Sequence, residues 1–465
     1  MKVTFLGAAE NVTGSKFLIE QGDSRILLDC GLHQERDLRD RNWDKFPVDP
    51  SSIEAMILTH AHIDHCGYIP KLVKDGFRGK IYCTAPTAEI AKISLLDSAK
   101  LQIADAQFKK RRHEKEGRKG PHPEVALYDQ DDVRNIFPLF HKVSYEQEIR
   151  VAADIKATFY DAGHILGSAM IELKVNAGGQ EKTYVFSGDI GRWGRPILGD
   201  PHAFSNADAV VMEATYGNRL HEDEGPSLQK LVSVINQTKE RGGNIIIPSF
   251  AINRTQEILY YLNQLLDENR IPHLMTFVDS PMAASVTEIY EMYPEDFDEE
   301  AKEILTRDAS LFHYPLLKMT KSAAESKAIN HIKGSAIIIA GSGMCTGGRI
   351  KHHLVNNIAR PESTILFVGY QAVGTLGRYI LEKPEEVRIL GKTYPVQARI
   401  EKINGFSAHA DKDELLKWVS NFKNAPEKIF IVHSEKEAAA EFSTALQKQF
   451  AGDVIIPKYT ETHDF

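Results

Sequence analysis

Thr59-His60-Ala61-His62-Ile63-Asp64-His65-Cys66-Gly67 places four metal-ligating side chains within six residues. The apolar run Ala55–Leu58 before it reads as a strand, and Tyr68–Val73 after it reads as a helix. The cluster therefore sits on a turn at the carboxyl end of a strand, where α/β folds place their sites. On an extended turn His60 and His62, two residues apart, can face one cation. Asp64 and His65 come where the chain bends into the helix and can face a second. Neutral imidazole and carboxylate are ligands that zinc prefers. A lone histidine more often satisfies a core or a surface; this spacing at a strand end is a metal signal.

Working outward, other strands end the same way. His164, in Asp161-Ala162-Gly163-His164-Ile165-Leu166-Gly167-Ser168, trails the run Lys156–Tyr160. Asp189, in Phe186-Ser187-Gly188-Asp189, trails Lys182–Phe186. Glu213 ends Ala209–Met212, and His433 ends Lys428–Val432. Singly, each also reads as a helix cap or turn residue. Together they put a His, Asp or Glu at the end of strand after strand, on what reads as one rim.

Further runs (Asn244–Ile247, Ala336–Ile339 and Thr364–Val368) alternate with amphipathic stretches such as Thr255–Leu266 and Asp411–Phe422. This predicts α/β layers. The early strands Thr4–Leu6, Phe17–Gln21 and Arg25–Asp29 follow one another without helices, which predicts an antiparallel or mixed portion. With 465 residues the chain exceeds what one core supports, so two domains are expected.

Composition bounds the class. Apolar residues at 42% and charged residues at 26% are those of an ordinary globular protein. No run approaches the roughly 18 apolar residues of a membrane helix, and Met1–Gly7 reads as a strand and turn rather than a secretory signal. Cys30, Cys66, Cys83 and Cys345 form no C-x-x-C pair and fit a reducing compartment, so the expected location is cytoplasmic. The net charge of −8 speaks against nucleic acid, but a local basic patch can coexist with it. One strong basic run exists, Lys109-Lys110-Arg111-Arg112-His113-Glu114-Lys115-Glu116-Gly117-Arg118-Lys119. It reads either as a solvated helix end and loop or as a contact to a nucleic-acid backbone.

The H-x-H-x-D-H cluster, the later Gly163-His164, Ser187-Gly188-Asp189 and the early Leu28-Asp29-Cys30-Gly31 resemble the metallo-β-lactamase superfamily signature. The resemblance implies that His60, His62 and His164 hold one ion, that Asp64, His65 and His433 hold the other, and that Asp189 bridges them. Two zinc ions per chain are then the implied cofactors. Asp29 would stand behind the ligands and fix the orientation of one of them or of a loop.

Further stretches are similar to the motifs of the β-CASP nucleases, and resemble in particular the endonuclease subunit of the cleavage and polyadenylation complex and its prokaryotic relatives. They are Met212-Glu213-Ala214-Thr215-Tyr216-Gly217-Asn218, Pro248-Ser249-Phe250-Ala251-Ile252-Asn253-Arg254-Thr255-Gln256-Glu257, Gly341–Arg349, Gly369–Arg378 and Gly405-Phe406-Ser407-Ala408-His409-Ala410-Asp411. Ser434 and Ala214 depart from the family's usual residues. The resemblance implies an α/β fold: a metallo-β-lactamase αββα sandwich, 1–210 and 391–465, with an inserted α/β β-CASP domain, 211–390, and an active site in the cleft between them. A His at the third motif, here His433, goes with RNA-directed members.

The implied activity is zinc-dependent hydrolysis of single-stranded RNA, with water activated between two metals about 3.5–4 Å apart. The cut would be internal, and could extend to digestion from the 5′ end. Asp64, Glu213 and His409 would carry the chemistry. His409 is the candidate general acid for the leaving 3′ oxygen, and Glu213 would orient it and raise its pKa. Ser249, Arg254, Arg349, Arg378 and Ser407 are candidate RNA or phosphate contacts, because glycine-rich backbone approaches phosphate closely and arginine pairs with it. The Gly-rich stretches and their arginines read alternatively as tight turns and interdomain salt bridges. No Gly-Lys-Ser/Thr follows them, so no nucleotide cofactor is expected. His352 and His353 read as near RNA or on a helix face, and His33 as behind the ligands or on the cleft. A homodimer is implied by resemblance. A DNA nuclease of the same fold, a small-molecule hydrolase and a silent scaffold are the competing readings.

Overall fold

The computed structural model describes residues 1–465 except Asp308, Ala309, Lys333 and Val373, the last of which falls within the Gly369–Arg378 motif. The chain divides into two compact units, Met1–Leu220 with His409–Phe465, and His221–Ala408.

The first unit holds two seven-stranded sheets. One runs in the order Thr462–Asp464, Lys2–Phe5, Phe17–Gln21, Ser24–Leu28, Ala55–Ile57, Lys80–Thr84 and Phe140–Val143. Its first four strands pair antiparallel and the rest parallel, a mixed sheet. The other runs Asp453–Ile455, Lys428–Val432, Ala209–Glu213, Gln180–Phe186, Ala169–Ala177, Ile155–Asp161 and Ile149–Ala152. Alternate residues point to opposite faces of a strand, and the pattern shows it. Ile26, Leu28 and Phe17 from the first sheet share one core with Phe159, Ile171, Leu173, Phe186, Val211 and Phe430 from the second. Intervening residues Val185, Val210, Met212 and Ile431 face outward, onto Leu415 and Trp418 of the helix Lys412–Val419 and Phe442 of the helix Lys436–Leu446. The helices Ile69–Lys74, Ala85–Glu116 and Gln130–Ile136 pack together, and Ala85–Glu116 lies against the first sheet. The layers are helix, sheet, sheet, helix.

The strand Ala209–Glu213 corrects the expected boundary at 210/211. It lies parallel between Gln180–Phe186 and Lys428–Val432, in the middle of the second sheet, so the first unit keeps it. The return boundary likewise falls later than 391, because Arg399–Lys402 pairs with Thr364–Phe367 in the other unit's sheet.

The second unit is built on six parallel strands in the order Leu317–Met319, Met275–Asp279, Ala336–Ala340, Ile245–Pro248, Thr364–Phe367 and Arg399–Lys402. Parallel sheets are covered on both faces and read as unbroken apolar runs. Ile245-Ile246-Ile247 and Ile337-Ile338-Ile339 are such runs, all buried. Among the described residues no helix is long and apolar enough to cross a membrane.

Candidate metal centre

The strand Ala55–Ile57 delivers Thr59, His60 and His62 to a turn, and His62 caps the short helix Ile63–Cys66 that carries Asp64 and His65. The turn needs a glycine opposite it. A Cβ on Gly31 would stand 1.5 Å from the Asp64 carbonyl oxygen. With that close approach, Ser15 N donates to Asp64 O (2.9 Å) and Cys30 N to His65 O (2.7 Å). The loops bearing His164 and Asp189 meet in the same manner: a Cβ on Gly191 would lie 2.0 Å from Gly163 O.

The donors converge in two sets. His60 Nε2 lies 3.1 Å from His62 Nδ1, and His164 Nε2 lies 3.2 Å from the same atom. His65 Nε2 lies 3.2 Å from His433 Nε2, which is 3.4 Å from Asp64 Oδ2. Asp189 reaches both. Its Oδ2 is 3.3 Å from His60 and 3.5 Å from His164, and its Oδ1 is 3.3 Å from His65 and 3.7 Å from His433. Donor atoms of His60, His62, His164 and Asp189 lie within 4.8 Å of one another, as do those of Asp64, His65 and His433.

Hydrogen bonds behind the donors set the tautomers. His65 Nδ1 donates to Asp29 Oδ2 at 2.8 Å. The Thr59 hydroxyl donates to the same Asp29 oxygen at 2.8 Å, so its own oxygen is left to accept from His60 Nδ1 at 3.1 Å. The Thr215 hydroxyl donates to His433 O at 3.0 Å and so accepts from His433 Nδ1 at 2.9 Å. In each ring Nε2 is left with its lone pair facing other acceptors. His433 is held there at φ +51°, a left-handed conformation that costs about 1–3 kcal/mol in a non-glycine residue, with its N–H on Ala8 O at 2.7 Å.

This donor set fits cations. Burial pushes His60 down to about 3 and His62 to about 4, and holds His164 well below the usual imidazole range, so these rings stay neutral as ligands must. Burial opposes ionisation of Asp189, but His433, His65 and His60 outweigh it and hold the carboxyl well below its usual value. Burial would likewise lower His65, yet Asp189 and Asp29 pull it well above its usual value. A cation in that position takes the proton's place. Asp189 Oδ1 is buried and, among the described residues, has no hydrogen-bond donor. A buried acceptor in that state is costly unless a cation or water meets it.

Beside Asp189, His409 Nδ1 lies 3.1 Å from Glu213 Oε1. Glu213 is buried and fixed, its Oε1 accepting from Ile190 N (2.6 Å) and its Oε2 from Thr215 N (3.2 Å). Burial lowers the His409 pKa, but Glu213, with Asp189 and Asp64, raises it to about 9. The His409 ring centroid is 4.5 Å from that of His164.

The structure brings together His60, His62, Asp64, His65, His164, Asp189, His433, Asp29, Glu213 and His409. The expected phosphate contacts lie in the second unit and are differently placed. Arg349 donates to Asp279 Oδ1 at 2.7 Å and to Lys321 O at 3.0 Å, and His353 Nε2 lies 2.6 Å from Asp279 Oδ2. Arg254 is buried against Glu257. These two guanidinium groups neutralise acids whose burial would otherwise be costly, the salt-bridge alternative to their reading as phosphate contacts, here within the second unit. Arg378 is 41% exposed at its side chain and pairs with Glu382 at 2.9 Å. Ser249 is buried, its hydroxyl donating to Phe250 O at 3.2 Å, and Ser407 is half-buried. His33 is buried, its N–H on Asn42 Oδ1 at 3.0 Å. Sequence reasoning missed Thr59 and Thr215; their places beside His60 and two residues after Glu213 were the only signals.

Family models match three stretches: a metallo-beta-lactamase superfamily domain over residues 18–185, a Beta-Casp domain over 255–380, and a Zn-dependent metallo-hydrolase RNA specificity domain over 393–457. Among curated proteins, Ribonuclease TTHA0252 of Thermus thermophilus is 36% identical over 94% of this chain and 94% of its own length. A transcription termination factor, FttA, of Methanocaldococcus jannaschii is 31% identical over 98% of this chain and 70% of its own. An RNase J-like protein of the same organism is 30% identical over 97% of each. The crystal structure of a protein of unknown function from Enterococcus faecalis shares the fold over 99% of each chain, with a TM-score of 0.54 and 12% identity. The chain belongs to the metallo-β-lactamase superfamily of metal-dependent hydrolases, in its β-CASP family.

Proposed function

We propose that the chain is a zinc-dependent ribonuclease that hydrolyses phosphodiester bonds of single-stranded RNA, holding two zinc ions per chain. The observation that carries this is Asp189, whose two carboxylate oxygens reach two separate sets of convergent donors. His60, His62 and His164 would hold one ion and Asp64, His65 and His433 the other, with Asp189 between them. When bound, such a pair supplies Lewis acidity to a phosphate oxygen and acidifies water to near neutral pKa. The chain's residues supply the rest. Asp29 and Thr59 keep His65 and His60 in the ligating tautomer, and Thr215 does so for His433. His409, with Nδ1–H on Glu213, gives a proton from Nε2 to the leaving 3′ oxygen, so the products carry a 5′-phosphate and a 3′-hydroxyl. All four cysteines are buried and unbridged, in keeping with a cytoplasmic site of action.

The test uses one RNA labelled separately at each end, with and without chelator, beside Asp64→Ala and a DNA of the same sequence. Internal fragments that vanish with chelator and in the variant are expected. Nucleotides released from the 5′ end would make the mode exonucleolytic. Cleavage of DNA alone, or cleavage indifferent to chelator, would overturn the proposal.

A further inference from the structure

The helix Ala85–Glu116 starts at the loop that carries His164. The Thr84 hydroxyl caps it, and the Thr84 and Thr87 hydroxyls both donate to Gly167 O at 2.7 Å. It runs 32 residues, about 48 Å at 1.5 Å per residue. Its far end is therefore well removed from the donors. That end is the basic run Lys109–Lys119, with seven Lys and Arg against two Glu on a chain of net charge −8.

The two faces of the helix end differ. Ala99 and Ala106 are buried, and His113, on their side, pairs with Glu124. On the other side Leu101, Phe108, Arg111, Arg112 and Lys115 recur at spacings of three, four and seven, which places them in one stripe, and all are exposed. Phe108 is 65% exposed and Leu101 58%. An exposed aromatic ring thus has arginines one turn beyond it at positions 111 and 112. Lys109 pairs with Asp105, and Arg112 and Arg118 with Glu116. Lys110, Arg111, Lys115 and Lys119 have no acidic partner among the described residues.

Arg111 and Lys115, without acidic partners among the described residues, and the exposed Phe108 ring on the same stripe supply the two elements by which proteins hold single strands: phosphate pairing and base stacking. We propose that the outer face of Leu101–Lys115 is a second binding surface for single-stranded RNA, remote from the metal centre, with phosphates on Arg111 and Lys115 and a base stacked on Phe108. The proposal rests on the ribonuclease reading and extends it: the surface retains long substrates and leaves short ones unaffected. An anionic membrane is disfavoured because the stripe offers only Leu101 and Phe108 as large apolar side chains, too little for interfacial burial.

The experiment measures binding of a long single-stranded RNA and of one a few nucleotides long, at several salt concentrations, in an Asp64→Ala background so that nothing is cut. Two variants are compared, Arg111→Ala/Lys115→Ala and Phe108→Ala. The double variant should flatten the slope of log affinity against log salt for the long RNA by about 0.7 per lost phosphate contact. Phe108→Ala should weaken that binding about 5- to 150-fold, the loss of one stacked base, with little change of slope. With Asp64 restored, both variants should cut the short RNA at the parent rate and keep the parent's metal content. Unchanged long-RNA binding in an enzyme that cuts RNA would overturn the surface and leave the ribonuclease reading standing. A parent that neither binds nor cuts RNA would overturn both. Loss of binding to phosphatidylserine vesicles with RNA binding intact would also overturn it, in favour of a membrane face.

Discussion

One oxygen of Asp29 accepts both from His65 Nδ1 and from the hydroxyl of Thr59, each at 2.8 Å, and that hydroxyl holds His60 Nδ1. A single buried carboxylate thereby orients one imidazole from each donor set. Asp29→Asn keeps the shape but removes the charge that favours Nδ1–H. Metal affinity should fall about 10- to 100-fold, the usual effect of losing such a partner. Titration against a competing chelator measures it, and an unchanged affinity would contradict the role.

His409 and Glu213 stand beside the donors, Nδ1 3.1 Å from Oε1, and are the proton-handling pair of the proposed mechanism. His409→Ala should slow cleavage by about 10²–10⁴-fold while metal content stays at the parent value. Glu213→Gln should act in the same direction, since the neutral amide no longer raises the His409 pKa. A His409→Ala enzyme with parent activity would remove the general acid from the mechanism.

Gly31→Ala probes the backbone instead of the chemistry. The new methyl would meet Asp64 O at 1.5 Å and His65 N at 2.7 Å, and neither is a flexible side-chain end. The turn must shift, at about 1–3 kcal/mol. The expected outcome is a lower denaturation midpoint and weaker metal binding together; a midpoint and affinity both equal to the parent's would show that the turn yields freely.

Asp279 makes stability in the second unit depend on acid. Burial opposes its ionisation, but His353, Ser326, Thr320 and Arg349 donate to it and hold its carboxyl well below the usual value. A depressed folded-state pKa gives stability that is present above the unfolded value of about 3.9 and lost as pH falls below it. Urea midpoints from pH 7 down to pH 3 should therefore drop, and drop less steeply in Asp279→Asn. That variant should itself cost about 3 kcal/mol at neutral pH, because the half-buried Arg349 guanidinium loses its counter-charge.

The candidate metal donors were legible because they follow strands, and strands are legible from apolar runs. Lys428–Val432 ends where the sequence placed it, and His433 comes next. What the sequence could not show is pairing at long range. Arg349 looks open to phosphate in a glycine-rich stretch, and Asp279, seventy positions earlier, carries no local sign that it will claim it. The domain boundary was misplaced for a related reason: Met212 and Glu213 open a β-CASP motif in sequence but belong in space to an interior strand of the first unit's second sheet. Thr59 and Thr215 were passed over because a hydroxyl beside a ligand has no spacing rule.

The position of Ala209–Glu213 beside Lys428–Val432 also fixes a timetable for the growing polypeptide. His60, His62, His164 and Asp189 have all been synthesised once about two hundred residues are made. His433 follows more than two hundred residues later, roughly ten to fifty seconds at 5–20 residues per second. During that interval the nascent protein carries one full set of donors and two of the three of the other, with the second sheet still lacking the strand that will bring His433 to it.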